Sequence, residues 1–213
     1  MVVALAVAPP QVRIRCLGRA EYLPTLEAMR AFSAQRGAET ADELWLLEHD
    51  PVYTLGLGAD PAHGPRVERG IPVVAVERGG EVTYHGPGQA VLYTLVDLTR
   101  RGLRVREFVA LLEQSVIDLL AEHGVRGERK GGAPGVYVAG AKVAALGLRV
   151  ARGCAYHGLA LNVDMDLAPY DAIDPCGYPG LAVTRTRDLG IAQPCAALGE
   201  RLARILAAGL GDA

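Results

Sequence analysis

The sequence predicts an α/β protein of the α+β type, a mixed β-sheet flanked by helices. Short apolar and β-branched runs outnumber helical patterns, so strands dominate. Several of these runs are joined by only a few turn residues, as hairpins are, which mixes antiparallel with parallel pairing. Three amphipathic segments, two near the ends and one in the middle, supply helices to cover the sheet.

Residues 24–36 form the first predicted helix, with Pro24 in its opening turn and Gly37 past its end. Leu26, Met29 and Phe32 recur at helical spacing and predict one buried face. Residues 43–48 hold Leu44, Trp45, Leu46 and Leu47, an unbroken apolar run suited to a strand covered on both faces. His49, Asp50 and Pro51 turn the chain into a short strand at 52–56, and residues 57–70, rich in Gly, Pro and Ala, read as a loop. Strand-like runs at 71–76 and 90–98 enclose a glycine-rich loop. Residues 103–123 are the clearest helix, with Val105, Phe108, Val109, Leu112, Val116, Leu119 and Leu120 on one stripe and Gly124 as its stop. That stripe belongs to the core. Residues 136–138 and 142–150 read as a hairpin turned at Ala139 and Gly140, residues 155–163 as a further strand, and 195–206 as a closing helix.

With 213 residues and no internal repeat or linker, the chain is expected to be one domain over 1–213. Half the residues are apolar and 22% are charged, the balance of a soluble globular protein. A net charge of -2 argues against a nucleic-acid binder with a basic surface, and no window approaches the ~20 apolar residues of a membrane span. The apolar run at 1–10 lacks a basic start and is not read as a signal peptide, which points to a reducing cytoplasm. Cys16, Cys154, Cys176 and Cys195 contain no CxxC pair, so neither a metal site nor a disulfide framework is suggested.

Chemistry concentrates in Arg78-Gly79-Gly80-Glu81-Val82-Thr83-Tyr84-His85-Gly86-Pro87-Gly88-Gln89, where glycines let backbone approach a ligand and polar groups stand among them. No Walker loop is present and no dinucleotide fingerprint opens a helix. Cys176 lies between Pro175 and Gly177, in a segment too irregular to bury it as core filler, whereas Cys16, Cys154 and Cys195 are expected to pack as small apolar residues. A free thiol titrates near ~8.5, so a nucleophilic one needs a nearby base or cation. His85, His157 and Lys142 are the candidates. The chain holds twenty arginines and two lysines, Lys130 and Lys142. A lysine kept against that bias suits a role arginine cannot take, such as losing a proton. Residues 100–152 carry ten Lys and Arg against five Asp and Glu, an excess suited to an acidic partner or to solvated surface arginines.

The 78–89 segment, Lys142-Val143-Ala144-Ala145-Leu146-Gly147, His157-Gly158-Leu159-Ala160-Leu161-Asn162 and Pro175-Cys176-Gly177 together resemble the four signature blocks of the octanoyl-[acyl-carrier-protein]:protein N-octanoyltransferases of lipoate synthesis, in that family's order. Residues 50–56 are similar to a fifth, weaker block. The resemblance implies a fold like the biotin and lipoate ligase catalytic domain, with Cys176 as acyl-carrying nucleophile and Lys142 as its activating partner. It implies that Arg78, Gly79, Gly80, Glu81, Val82, Thr83, Tyr84 and His85 line the acyl pocket together with Ala145, Leu146, Gly147, Gly158, Leu159 and Ala160. His157 supports them. No cofactor is implied. The donor would be octanoyl-acyl carrier protein. The acceptors would be lipoyl domains of 2-oxoacid dehydrogenase complexes and the glycine cleavage H protein, met by a monomeric enzyme. The chain departs from the family pattern at Gly153-Cys154-Ala155 and Val183-Thr184-Arg185, which leaves chain-length preference open. An ATP-dependent ligase, a thioesterase and a non-catalytic acyl-binding protein are the competing readings.

Overall fold

The computed structural model describes residues 11–66 and 70–211, so the apolar run at 1–10 and part of the expected 57–70 loop lie outside the described residues. The chain runs β1 (Arg13–Ala20), α1 (Tyr22–Gln35), β2 (Glu43–His49), β3 (Val52–Leu55), β4 (Val73–Ala75), β5 (Val82–His85) and β6 (Gln89–Asp97). It continues through α2 (Val105–Ala121), β7 (Glu128–Arg129), β8 (Gly135–Val138), β9 (Ala141–Ala151), β10 (Cys154–Asn162) and α3 (Cys195–Gly209). One sheet has seven strands in the order β1-β2-β6-β10-β9-β8-β7, antiparallel except for β1 against β2. A second sheet has the order β4-β3-β5.

Sequence pattern explains the layers. Along β2, Leu44 and Leu46 face α2 and α3, while Trp45 and Leu47 face α1, so both faces are covered as the unbroken run predicts. On one face Phe108, Leu112, Val116 and Leu119 of α2 join Leu198, Leu202 and Leu206 of α3 in a fully apolar core. On the other, Leu26 and Met29 of α1 pack on Tyr93 and Leu95 of β6. The β8–β9 hairpin turns at Ala139 and Gly140 with φ of 49° and 84°, the left-handed pair a two-residue connection requires.

Two expectations need correction. The glycine-rich segment is not all loop, because Val82–His85 pairs with β3 as β5 and founds the second sheet. Its partner lies some thirty residues upstream, so local composition hides it. Likewise β1 was not anticipated: it is an exposed edge strand whose arginines show no apolar face. Of the three cysteines expected in apolar packing, Cys195 packs against the main core, whereas Cys16 does not. Cys16 is exposed, and Cys154 and Cys195 are half-buried.

The basic excess in the middle of the chain is partly internal. Asp42, fully buried, accepts from Arg36, from Arg100 at 2.8 Å, from Arg101 at 2.6 Å and from the Asp97 amide at 2.9 Å. It thereby joins the end of α1 to the turn between β6 and α2. Replacing Asp42 by alanine leaves three arginines facing one another in a dry site and is expected to cost about 3–5 kcal/mol, read as a lower midpoint in urea with an unchanged m-value.

Candidate active site

Lys142 and Cys176 meet because the segment after the cysteine returns to β9. The Lys142 amide donates to Ala182 O at 2.8 Å and the Thr184 amide donates to Lys142 O at 2.9 Å, a short parallel pairing that carries the 175–184 loop alongside the lysine. Asn162 at the end of β10 donates to Thr184 O at 3.0 Å and holds that loop from below. Cys176 occupies a tight turn, Pro175–Gly177, with φ 58° and ψ 25°. A non-glycine residue rarely adopts this left-handed conformation. The Gly177 amide to Asp174 O (2.9 Å), the Tyr178 amide to Pro175 O (3.2 Å) and an Arg66–Asp174 ion pair hold it there.

Lys142 is 3% exposed. Its Nζ donates to Cys176 Sγ at 3.0 Å and to Pro134 O at 3.1 Å, and lies 5.2 Å from the centre of the Tyr137 ring. Burial pulls the Lys142 pKa down, but the Cys176 thiolate and Tyr137 outweigh it, and the net shift is upward from 10.5. The room for this side chain depends on Gly135. Its φ is 140°, and a Cβ there would sit 2.8 Å from Ala144 O and 3.0 Å from Lys142 Cε.

The pair opens into a cavity of about 390 Å³. Of the segments singled out from the sequence, Arg78, Gly79, Gly80, Glu81, Val82, Thr83, His85, Ala145, Leu146, Gly147, His157, Gly158, Leu159 and Ala160 all line it with Cys176 and Lys142. Tyr84 does not. Strand alternation on β5 turns its ring away, against Tyr53 and Tyr170. Sequence reasoning missed Tyr22, Tyr93, Pro134 and Tyr178, which line the cavity from α1, β6 and two loops. Tyr93 sat in a strand pattern that reads as core and Tyr22 lay just before the expected helix at 24–36, although α1 starts with it; nothing local marks either as facing a void.

The segments 145–147 and 158–160 lie on neighbouring strands, with Ala145 opposite Ala160 and Gly147 opposite Gly158. Gly158 must be glycine, since a Cβ would fall 2.1 Å from Leu92 O on β6. Next to it, His157 has φ 62°, which breaks the alternation of β10 and stacks its ring on that of Tyr156 at 5.1 Å. Without that kink the imidazole would point to the opposite face.

Away from the dyad, His85 and His157 line the cavity and His49 packs against His85, all three neutral. Burial lowers His85 to about 3 and His49 and His157 to about 4. His49 donates from Nδ1 to Ala20 O at 2.8 Å, which leaves Nε2 to accept from the Tyr93 hydroxyl at 2.7 Å. His85 Nδ1 donates to Gln89 Oε1 at 2.7 Å. His157 Nε2 is buried with no partner. The Arg78 guanidinium, lowered chiefly by burial, bonds Thr54 O at 2.9 Å and Thr54 Oγ1 at 2.8 Å. By contrast, burial pushes the Cys195 thiol up to about 12, so it is protonated and inert at neutral pH. Among the described residues, no cluster of His, Cys, Asp and Glu is placed to hold a metal ion, and no helix is long and apolar enough to cross a membrane.

Residues 21–194 match the family profile described as the lipoyl protein ligase A/B catalytic domain. The octanoyltransferase of Azoarcus sp. (strain BH72) is 61% identical over 199 residues, covering 93% of this chain and 87% of that protein. The octanoyltransferase of Thiobacillus denitrificans (strain ATCC 25259 / T1) is 64% identical over 182 residues, covering 85% of this chain and 83% of that protein. Among solved structures, a lipoate-protein ligase A bound with ATP superposes with a TM-score of 0.77 at 14% identity, over 95% of this chain and 86% of its own. A biotin protein ligase from Aquifex aeolicus in complex with biotin and ATP superposes with a TM-score of 0.60 at 12% identity, over 93% and 70%. At those identities the likeness is one of fold, and it agrees with the fold expected from the sequence.

Gly135→Ala is expected to cost about 1–3 kcal/mol in stability and to displace the Lys142 amine, seen as a changed rate of Cys176 alkylation. The buried histidines give a second expectation. Their folded values lie below the ordinary 6.5, so the unfolded chain binds more protons between about pH 4 and 6.5 and stability rises with pH across that window. Each contributes up to about 1.4 kcal/mol per pH unit. Melting measured from pH 4 to 7 should flatten by about a third of the histidine slope in His157→Asn, asparagine being tolerant of the left-handed backbone there.

Proposed function

The chain belongs to the octanoyltransferase family, and from that premise we propose that it moves an octanoyl group from a carrier-protein thioester to a lysine of a lipoyl domain through an acyl-Cys176 intermediate. Octanoyl transfer in protein lipoylation is its activity; the donor, the intermediate and the residues that form it are the proposal. The single observation that supports it most is the 3.0 Å contact between a buried lysine amine and the thiol of a strained turn, at the mouth of an acyl-sized cavity.

In the first half-reaction the Cys176 thiolate, paired with the Lys142 ammonium, attacks the donor carbonyl. The tetrahedral intermediate expels the carrier thiolate, which takes the proton from Lys142. One thioester replaces another, so the step is nearly balanced in bond energy. Burial of the fatty chain adds about 0.8 kcal/mol per CH₂, and the apolar strand residues from Ala145 to Leu148 and Val91 suit it. In the second half, the acceptor ammonium loses a proton to the now neutral Lys142. Its nitrogen attacks the acyl-cysteine carbonyl, releases its second proton to solvent, and the Cys176 thiolate departs to the Lys142 ammonium. A thioester becomes an amide, which drives the sequence forward.

The carbonyl oxygen needs hydrogen-bond donors as it takes negative charge. β10 is paired on both sides, by β6 and β9, so its amides are spent in the ladders. Beyond Ala145, β9 has a strand partner on one side only; Leu148 O faces the open side, where it accepts from the Gly79 amide, and alternation puts the Leu146 amide on that side too, which favours it as a donor. The cytoplasm, with acidic carrier and lipoyl domains as partners of a monomer, is the setting this reading requires.

Mixing the protein with octanoyl carrier protein should add one octanoyl group on Cys176 by intact mass, lost again on adding apo lipoyl domain. Cys176→Ala should show no adduct; transfer from free octanoate and ATP that survives in this variant would instead identify a ligase. Lys142→Arg should load about 100-fold more slowly or worse, because a guanidinium keeps the proton; near-normal loading rejects the dyad. The raised Lys142 value sets the sign of the pH dependence. The contribution of the Lys142 ammonium is fully present below the ordinary 10.5 and is lost as pH climbs through the higher folded value, on the alkaline side.

A further inference from the structure

Of the two lysines among twenty arginines, the dyad accounts for one. The other, Lys130, holds its Nζ 5.9 Å from the centre of the Tyr137 ring and 5.8 Å from that of Tyr178. Tyr137 is the ring that Lys142 also approaches. Tyr178 follows the nucleophile by two residues, lines the cavity, and donates its hydroxyl to Gly132 O at 3.1 Å. Gly132, Ala133 and Pro134, just after Lys130, line the cavity as well. Lys130 therefore stands at the rim, next to the opening through which any thioester reaches Cys176.

Its charge is uncommitted. The neighbouring Arg126 pairs with Glu128, and Arg129 with Glu113, but among the described residues no carboxylate lies within ion-pair distance of Lys130. Two phenol faces attract an ammonium without neutralising it or occupying its three donors. They fix where the charge is and leave it open to an anion from solvent. The other cations of the site are spent. Lys142 is bonded to Sγ and Pro134 O, and Arg78 is buried against Thr54.

We propose that Lys130 binds the phosphate of the thiol arm that presents the acyl group. The inference rests on the reading above that the donor is a carrier thioester. Such a donor carries its thiol on phosphopantetheine: one anionic phosphodiester, a flexible chain, then the thioester. With the acyl carbon at Cys176 and the fatty chain inside, the arm leaves past Tyr178 and Gly132, and its phosphate emerges at the rim. A compact ammonium on a flexible stem follows such a group as the arm moves, whereas a guanidinium favours a fixed two-pronged fit. This supplies a physical reason for a second lysine in a chain that otherwise uses arginine.

The test compares single-turnover loading of the whole protein by octanoyl-phosphopantetheine and by octanoyl-pantetheine, which lacks the phosphate, with the Cys176 adduct read by intact mass. Wild type should prefer the phosphorylated donor. In Lys130→Gln that preference should fall about fivefold, the size of a partly exposed charge pair, and Lys130→Arg should restore part of it. Added salt should erode the wild-type preference in the same direction. An unchanged preference in Lys130→Gln overturns the proposal. So does equal slowing of both donors, which marks the lysine as packing for Tyr137 and Tyr178. Failure of wild-type Cys176 to load from either donor removes the carrier-thioester reading, and this inference falls with it.

Discussion

An amine carried into a dry site beside a thiol is the constraint around which this molecule is arranged. Burial alone drives a lysine neutral, and at Lys142 that effect is the largest single one, yet the adjacent sulfur reverses it. The two groups are thus stable together and costly apart. Everything near them serves the contact: the carbonyl of Pro134, the face of Tyr137, the absent side chain at Gly135, and the return of residues 182–184 along β9. The left-handed turn at Cys176 is the one strained member, held by its own hydrogen bonds and by Asp174.

The cavity behind the dyad combines apolar and polar groups. Strands β9 and β10 present glycine and alanine between leucines, so a ligand can approach their backbone closely. Tyr22, Tyr93, His85 and His157 add polar groups to the same wall, the two histidines kept uncharged by burial. Neutral imidazoles there tolerate hydrocarbon better than charged ones, which would draw in water.

Charge elsewhere is arranged to spend arginines inside the structure. Asp42 absorbs Arg36, Arg100 and Arg101, so two of the basic residues counted along 100–152 are withdrawn from the surface. Against that background an unpaired lysine at the cavity rim stands out chemically, because it is neither a structural tie nor a distant surface charge.

Periodicity determined α1, α2, α3 and the strands β2, β6, β9 and β10, since helix and strand repeats are written locally in the residues themselves. Residue chemistry and motif order also pointed to Cys176 and Lys142, which the fold brings into contact, and to nearly all of the wall, because glycines, scarce lysines and a cysteine in an irregular segment keep their meaning without coordinates. What the chain alone did not disclose was anything that depends on a distant partner. β5 exists only because β3 is there to receive it, β1 only because β2 is, and Tyr84 leaves the site because pairing fixes which way its strand faces. Tyr22 and Tyr93 enter the cavity for the same reason, as core residues on elements that happen to bound a void. The 3.0 Å between an amine and a sulfur thirty-four positions apart is likewise a product of sheet pairing, which local sequence does not encode.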